Sequence, residues 1–170
     1  MSNHFSGLSR RAALAGLGAS ALAFPARAQG AGLRLRAVSV DISALARGGV
    51  PFYARTVDLC LAGSMRRVFA DILGAGNGPT LVARVNSVRL GAFAGGPRRR
   101  IFGNSDGGND SLDGAGLLIA PGGAVSGTFP VLSVLDPASA GSWYASDIDS
   151  LRMQALCDHF AWWLRRKMGA

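Results

Sequence analysis

The side chains that most often carry out catalysis are scarce in this sequence. The chain of 170 residues has two histidines, His4 and His159, and its ten acidic residues are all aspartates. General acid–base catalysis needs an imidazole or a carboxylate held beside the reacting group. Asp41, Asp58 and His159 are the available candidates, and no HExxH, CxxC, GxSxG or GxxxxGK spacing occurs. The sequence therefore favours a protein that is not an enzyme and needs no cofactor, with an enzyme built on these three residues as the competing class.

Residues 104–113 (NSDGGNDSLD) place several oxygen donors in a short glycine-rich stretch. Asp106, Asp110 and Asp113 are weak candidates for binding calcium, which prefers carboxylate and carbonyl oxygens. The stretch lacks the regular spacing and the closing bidentate glutamate of a calcium loop. We therefore favour a connection without a metal, whose acids offset the three arginines at positions 98–100.

Cys60 and Cys157 are the only cysteines, and each falls in a segment with helical spacing. An even number of cysteines permits a disulfide in an oxidising compartment. Both helices should pack on one sheet, which would bring the thiols near each other. The alternatives are a Cys60–Cys157 disulfide and two buried thiols that pack as small apolar side chains.

One surface of the last predicted helix carries residue types that bind partners. Leu151 and Trp162 fall on the side opposite the apolar stripe, with Arg165 and Arg166 nearby. Tryptophan and arginine are enriched in binding hot spots, so these four residues form a candidate partner contact. The alternative is that the segment at 143–144 folds over Trp162 and buries it.

These side chains must be positioned by a small set of helices and strands. Residues 33–42, 80–93, 111–119 and 124–135 have the alternation or β-branched content of strands. Helical spacing extends from about 52 to 73 and from about 147 onwards. The order β-α-β-β-β-α predicts an α+β two-layer sandwich, in which a four-stranded mixed sheet carries two helices on one face. The first two strands should be parallel, with a bulge near Ala37 and a hairpin turn at 121–123.

The two predicted helices each present an apolar stripe to the sheet. In the first helix the stripe comprises Val57, Leu61, Met65, Val68 and Ile72. In the last helix it comprises Met153, Leu156, Cys157, Phe160, Trp163 and Leu164. Gly74 should end the first helix as a left-handed cap.

The first 28 residues have the order of a bacterial export signal. Arg10 and Arg11 follow Ser9 and precede a short, weakly apolar run, and Ala26 and Ala28 form an A-x-A cleavage site. Adjacent arginines are typical of the twin-arginine route. We therefore expect the twin-arginine export machinery and signal peptidase to act on this signal. Residues 29–170 should form a single domain in the periplasm, with a flexible Gly/Arg/Asp loop at about 94–110.

The charge and hydropathy of the chain limit its partners. The net charge of +8 includes three arginines of the signal, so the mature protein is less basic than the whole chain. Nucleic acid is not an expected partner of an exported protein, whereas an envelope protein or an anionic membrane surface is. No transmembrane segment is expected in the mature chain, because it has no run of ~18 apolar residues.

These observations predict an exported periplasmic binding or accessory protein of the cell envelope, which acts through a protein or membrane-surface contact. The alternative is a periplasmic module for a small ligand, in which the glycine-rich loop closes over a pocket at the open sheet face. The order of elements over residues 33–168 resembles that of small envelope accessory proteins, such as auxiliary lipoproteins of transport and lipopolysaccharide systems. That resemblance implies an accessory role.

Overall fold

The computed structural model describes residues 32–48, 51–74, 76–91, 108–142 and 145–170. In chain order its elements are β1 (Ala37–Asp41), α1 (Ser43–Arg47), α2 (Pro51–Val68), β2 (Thr80–Arg89), β3 (Asp110–Ile119), β4 (Val125–Leu135), a 3₁₀ turn (Pro137–Ala140) and α3 (Ile148–Met168). The predicted α+β fold with a four-stranded mixed sheet is confirmed. The short helix α1 was not predicted.

The four strands lie side by side in their chain order. As predicted, β1 and β2 are parallel, and β2, β3 and β4 form an antiparallel meander. The turn between β3 and β4 is closed by the amide of Ala120, which donates to the carbonyl of Ala124 at 2.8 Å. Gly123 has φ 85° there, a conformation that favours glycine. The predicted hairpin is therefore present.

The chain before β1 bends instead of forming the predicted bulge at Ala37. Leu35 pairs with Leu73 in an isolated parallel bridge, and a bend at Arg36 separates this bridge from β1. The bend lets Leu35 and then Val38 both contact the core, although they differ in strand parity. The change in apolar alternation thus marks a break between two short extended segments.

One hydrophobic core lies between the helices and the sheet. Strands β2 and β4 contribute inward side chains at every second position, as a half-buried sheet requires. The main contributors are Leu81, Ala83, Val85, Leu112, Phe129 and Val131 from the sheet and Val57, Leu61, Met65, Leu156, Phe160 and Leu164 from the helices. Both predicted apolar stripes are confirmed, although Val68, Ile72 and Trp163 are only partly buried.

Two glycines of β3 allow α3 to approach the sheet closely. A Cβ atom at Gly116 would overlap the side chain of Leu164, and one at Gly114 would overlap the carbonyl oxygen of Arg84 and press on Phe160. Phe160 and Leu164 are four residues apart and therefore lie one turn from each other on the same helix face. The small residues of β3 thus fix where α3 crosses the sheet.

The end of α2 differs from the prediction. The helix ends at Val68, and Gly74 is not among the described glycines with positive φ. The following residues turn so that the carbonyl of Ile72 accepts from the amide of Leu35 at 2.8 Å and the amide of Gly74 donates to the carbonyl of Leu35 at 3.0 Å. Pairing with Leu35, not a glycine cap, therefore decides where the chain leaves the helix.

Candidate functional site

The outer face of α3 exposes two large apolar side chains. Trp162 is 50% exposed and Leu151 is 41% exposed. They are separated by 11 residues, which places them within roughly 20° of each other around the helix. The predicted outward orientation of both residues is confirmed. Trp143 and Tyr144, which in the alternative prediction bury Trp162, lie outside the described residues.

The exposed tryptophan belongs to a small aromatic cluster with a cation. Trp162 and Trp163 meet edge to face, with ring centroids 5.3 Å apart. The guanidinium of Arg166 lies 5.5 Å from the Trp162 ring centroid and 5.1 Å from that of Trp163. Such cation–π contacts hold flat side chains in place. The cluster of Trp162, Trp163 and Arg166 is therefore an ordered surface with an apolar and a positive part.

Arg165 does not belong to this surface, contrary to the prediction. Its guanidinium donates to both carboxylate oxygens of Asp71, at 2.8 and 2.7 Å, and to the carbonyl of Val68 at 2.5 Å. The paired carboxylate raises the pKa of Arg165. Arg165 therefore ties α3 to the end of α2, and the contact surface reduces to Leu151, Trp162 and Arg166.

Arg152 of α3 is buried. Its guanidinium donates to both carboxylate oxygens of Asp110, and its side chain is 4% exposed. It also donates to the carbonyl of Gly91 at 2.5 Å and to the carboxylate of Asp149 at 2.9 Å. The amide of Gly91 donates to Asp110 at 2.8 Å. This network joins the start of α3 to the two ends of the connection between β2 and β3.

The weak metal candidates have other partners or lie outside the described residues. Asp110 is the buried partner of Arg152, and Asp113 accepts from the side-chain amide of Asn86 at 3.0 Å. Asp106 lies outside the described residues. Within the described ranges, no three side chains of the metal-ligating types come together.

Cys60 and Cys157 lie opposite each other where α2 packs on α3, and both are thiols. The Cys60 sulfur lies 3.6 Å from the carbonyl oxygen of Met153 and 3.3 Å from the side-chain oxygen of Gln154. A hydrogen bond from the Cys157 thiol lowers the pKa of Cys60. That hydrogen bond, and then burial, raise the pKa of Cys157 well above its usual range. Cys60 thus lies against the turn of α3 that carries Cys157, and the Cys60–Cys157 disulfide, one of the two alternatives given above, stays untested.

A polar network surrounds the rim of this helix pair. One carboxylate oxygen of Asp158 accepts from Ser64 at 2.6 Å, from Gln154 at 3.0 Å and from Arg67 at 2.5 Å. Burial raises the pKa of Asp158, but these three donors outweigh burial and the net pKa is lowered. Asp158 therefore stays ionised and holds α2 and α3 in one register.

The imidazole of His159 makes two side-chain hydrogen bonds, and neither of them activates a nucleophile. Trp163 donates its indole N–H to His159 Nε2 at 2.8 Å, and Ser133 Oγ lies 2.8 Å from His159 Nδ1. An indole nitrogen can only donate, so Nε2 accepts and Nδ1 of the neutral ring carries the proton. Nδ1–H then donates to Ser133, whose hydroxyl donates to the carbonyl of Leu156 at 3.3 Å. Because the His159 imidazole donates to the Ser133 hydroxyl, His159 cannot act as a base that removes the proton of that hydroxyl.

The other proposed catalytic residues are not joined to His159. Asp41 accepts from the amide of Ser43 and from the side chain of Arg84, at 3.0 and 3.1 Å. The hydrogen bonds from Ser43 come first among the causes that lower the pKa of Asp41. Asp58 lies on α2. The three residues therefore give no common acid–base site.

A shallow depression of about 250 Å³ lies beside the segment that leads into β1. It is lined by Arg34, Leu35, Gly74, Gly76 and Gly78, none of which belongs to a strand. The guanidinium of Arg34 donates to the carbonyl of Asp71 at 3.0 Å. Small-ligand sites use several converging polar groups in an apolar cavity, so this depression does not support the predicted ligand pocket at the sheet face.

Other predicted features lie partly outside the described residues. Ser9, Arg10, Arg11, Ala26 and Ala28 of the export signal are among them, and so is most of the loop at 94–110.

On the sheet, Leu132 and Val134 of β4 are exposed at 63% and 40%. No helix in the described part of the chain combines the length and the apolarity needed to cross a membrane.

Comparisons with known proteins give little further information. No protein-family model and no curated protein matches the chain. The chain is similar to the PelC dodecamer from Paraburkholderia phytofirmans, with 12% identity and a TM-score of 0.44 over 82% of this chain and 89% of the other. A leucine-to-methionine variant of that dodecamer gives the same identity and TM-score over 84% and 93%. Similarity at this level carries no argument about this protein.

Proposed function

We propose that this protein is an exported accessory protein of the cell envelope, which binds a partner protein through the outer face of α3 and is not an enzyme. The observation that carries the proposal is the half-exposed Trp162, held edge to face against Trp163 with Arg166 beside both rings. Tryptophan and arginine are among the residue types most enriched in binding hot spots. A rigid side chain also loses little conformational entropy on binding.

The distribution of charge on α3 favours a protein over a membrane surface. Asp147 and Asp149 lie at the start of the helix near Leu151, and Arg166 and Lys167 lie at its end. Anionic membranes attract polybasic surfaces. The acidic start of α3 carries the same sign of charge as such a membrane and would be repelled by it. A protein with complementary charges can match both halves.

The proposal of export rests on the N-terminal residues. Arg10 and Arg11 precede a weakly apolar run and an A-x-A site, the order of a cleaved signal. Replacing both arginines by lysine should leave an uncleaved precursor in the cytoplasm, measured by cell fractionation. Unchanged export of that variant would contradict the twin-arginine route, and cytoplasmic retention of the wild type would contradict export itself.

The contact is tested by placing a photo-crosslinking amino acid at position 162 in intact cells. Position 128 is the matched control, because Thr128 is also exposed but lies on β4. We expect a discrete crosslinked protein band from position 162 that position 128 does not give. Equal bands from both positions, or none from 162, would contradict the proposed contact. Flotation of the purified protein with anionic vesicles, abolished by Trp162→Ala, would instead assign the face to a membrane.

A further inference from the structure

Cys60 of α2 packs against the part of α3 that carries Cys157. Cys60 contacts the carbonyl of Met153 and the side chain of Gln154. In an α-helix the amide of residue 157 donates to the carbonyl of residue 153. The sulfur of Cys60 therefore lies against the helical turn that carries Cys157.

The two cysteines differ in access to solvent. Cys60 is half-buried at the rim of the interface, whereas Cys157 is fully buried in the core. Reagents can therefore reach Cys60 first. We propose that Cys60 and Cys157 form an oxidisable pair, in which Cys60 attacks an external disulfide and Cys157 then closes a disulfide that links α2 to α3.

The reaction is a thiol–disulfide exchange in two steps. The Cys60 thiolate attacks one sulfur of a small-molecule or protein disulfide, which breaks the external S–S bond and forms a mixed disulfide. The first leaving thiolate takes up the proton that Cys60 lost. Cys157 then loses its proton to the second leaving group as it attacks the Cys60 sulfur. Two protein thiols are oxidised to one disulfide, and the external disulfide is reduced to two thiols.

The surroundings of the pair support this order of events. The reacting species is the thiolate, and the hydrogen bond with Cys157 is the main cause that lowers the pKa of Cys60. The charge of Asp158 raises the pKa of both thiols more than the charge of Arg67 lowers it. Four causes raise the pKa of Cys157: the hydrogen bond to Cys60, then burial, then the charge of Cys60, then the charge of Asp158. The first and third of these disappear once Cys60 is held in a mixed disulfide. Cys157 is therefore less strongly held in its thiol form at the moment when it must attack.

The test uses the purified full chain, reduced and then incubated with oxidised glutathione. Intact mass and thiol titration after unfolding give the products. We expect the wild type to lose both thiols and to retain no glutathione, with a peptide link between residues 60 and 157. Persistence of two thiols, or stable retention of glutathione on the wild type, would overturn the proposal.

Two single variants separate the roles of the cysteines. Cys157→Ala should retain one glutathione at Cys60, because the thiol that would displace it is absent. Cys60→Ser should remain unmodified while folded, because Cys157 is buried. Glutathione on Cys157 in folded Cys60→Ser would contradict the assigned order. Cooperative unfolding of each reduced variant serves as the folding control, and the wild-type result decides the proposal if either variant fails to fold.

Discussion

The buried ion pair between Arg152 and Asp110 can be tested by the substitution Arg152→Met. Methionine keeps most of the aliphatic stem and removes the guanidinium, so the packing of the stem is largely retained. Within this network, Asp110 then keeps one donor, the amide of Gly91, whose nitrogen lies 2.8 Å from the Asp110 carboxylate. A buried carboxylate without its cation destabilises the folded state because its charge is no longer compensated.

We expect the free energy of unfolding to fall by ~3–5 kcal/mol. The two side chains are 4% and 2% exposed, so water cannot readily replace the lost donors. The carbonyl of Gly91 also loses a donor at 2.5 Å, which adds the cost of an unpaired buried acceptor. The contact with Asp149 contributes little, because the Asp149 side chain is 68% exposed.

The assay is urea unfolding of the wild type, of both single variants and of the double variant. Asp110→Asn removes the charge and keeps an acceptor for the amide of Gly91. The double variant should therefore be more stable than Arg152→Met alone.

Two results would refute this reasoning. A loss below ~1 kcal/mol in Arg152→Met would show that the pair is solvated or that the fold compensates for it. A double variant whose loss equals the sum of the single losses would show that the two side chains do not interact.

Three further predictions concern the helix face, the sheet and the histidine. Trp162→Ala should change the free energy of unfolding by less than ~1 kcal/mol because the Trp162 ring is half exposed, whereas Phe160→Ala should cost ~3–5 kcal/mol through the cavity that it leaves. A large loss in Trp162→Ala would show that the outer face is packed within the protein. Gly114→Ala should cost ~2–3 kcal/mol and Gly116→Ala ~1 kcal/mol in urea unfolding, because the added methyl meets backbone at the first position and a movable side chain at the second; equal losses would contradict this difference. Burial lowers the pKa of His159, so the unfolded state binds more protons below its value of ~6.5, and stability should fall as the pH drops from ~7 to ~5; a flat profile in the wild type, or the same fall in His159→Gln, would contradict the assignment.

Periodicity was sufficient to predict the four strands, the two long helices and the core. The helical stripe around Phe160 and the strand alternation around Leu81 depend on spacing within one segment, which the sequence displays directly. The parallel pairing of β1 with β2 also followed, because a helix between two strands returns the chain to the same edge. The position where α2 ends did not follow, since it depends on pairing with Leu35 far earlier in the chain.

The buried position of Arg152 is not evident from its residue type, because arginine side chains are mostly exposed. Arg152 lies about 80° from the centre of the apolar stripe, at the border of the core, where a long side chain can still turn inward. Its partner is 42 residues away in sequence. A signal did exist, since Asp110 shares strand parity with the buried Leu112 and therefore points to the core. A carboxylate at a core position requires a buried cation.

The sides of α3 explain why its outer face is the best candidate for a contact. One flank of the helix holds α2 through residues such as Asp158 and Arg165, and the other holds the sheet through residues such as Arg152 and His159. These side chains are bound to other elements of the fold, so their polar groups are already satisfied. Trp162, in contrast, is half exposed and packs against its own helix neighbours. A partner that covered this face would gain apolar area without breaking any of the bonds that hold the fold, which is why substitution there should reduce binding and leave stability nearly unchanged.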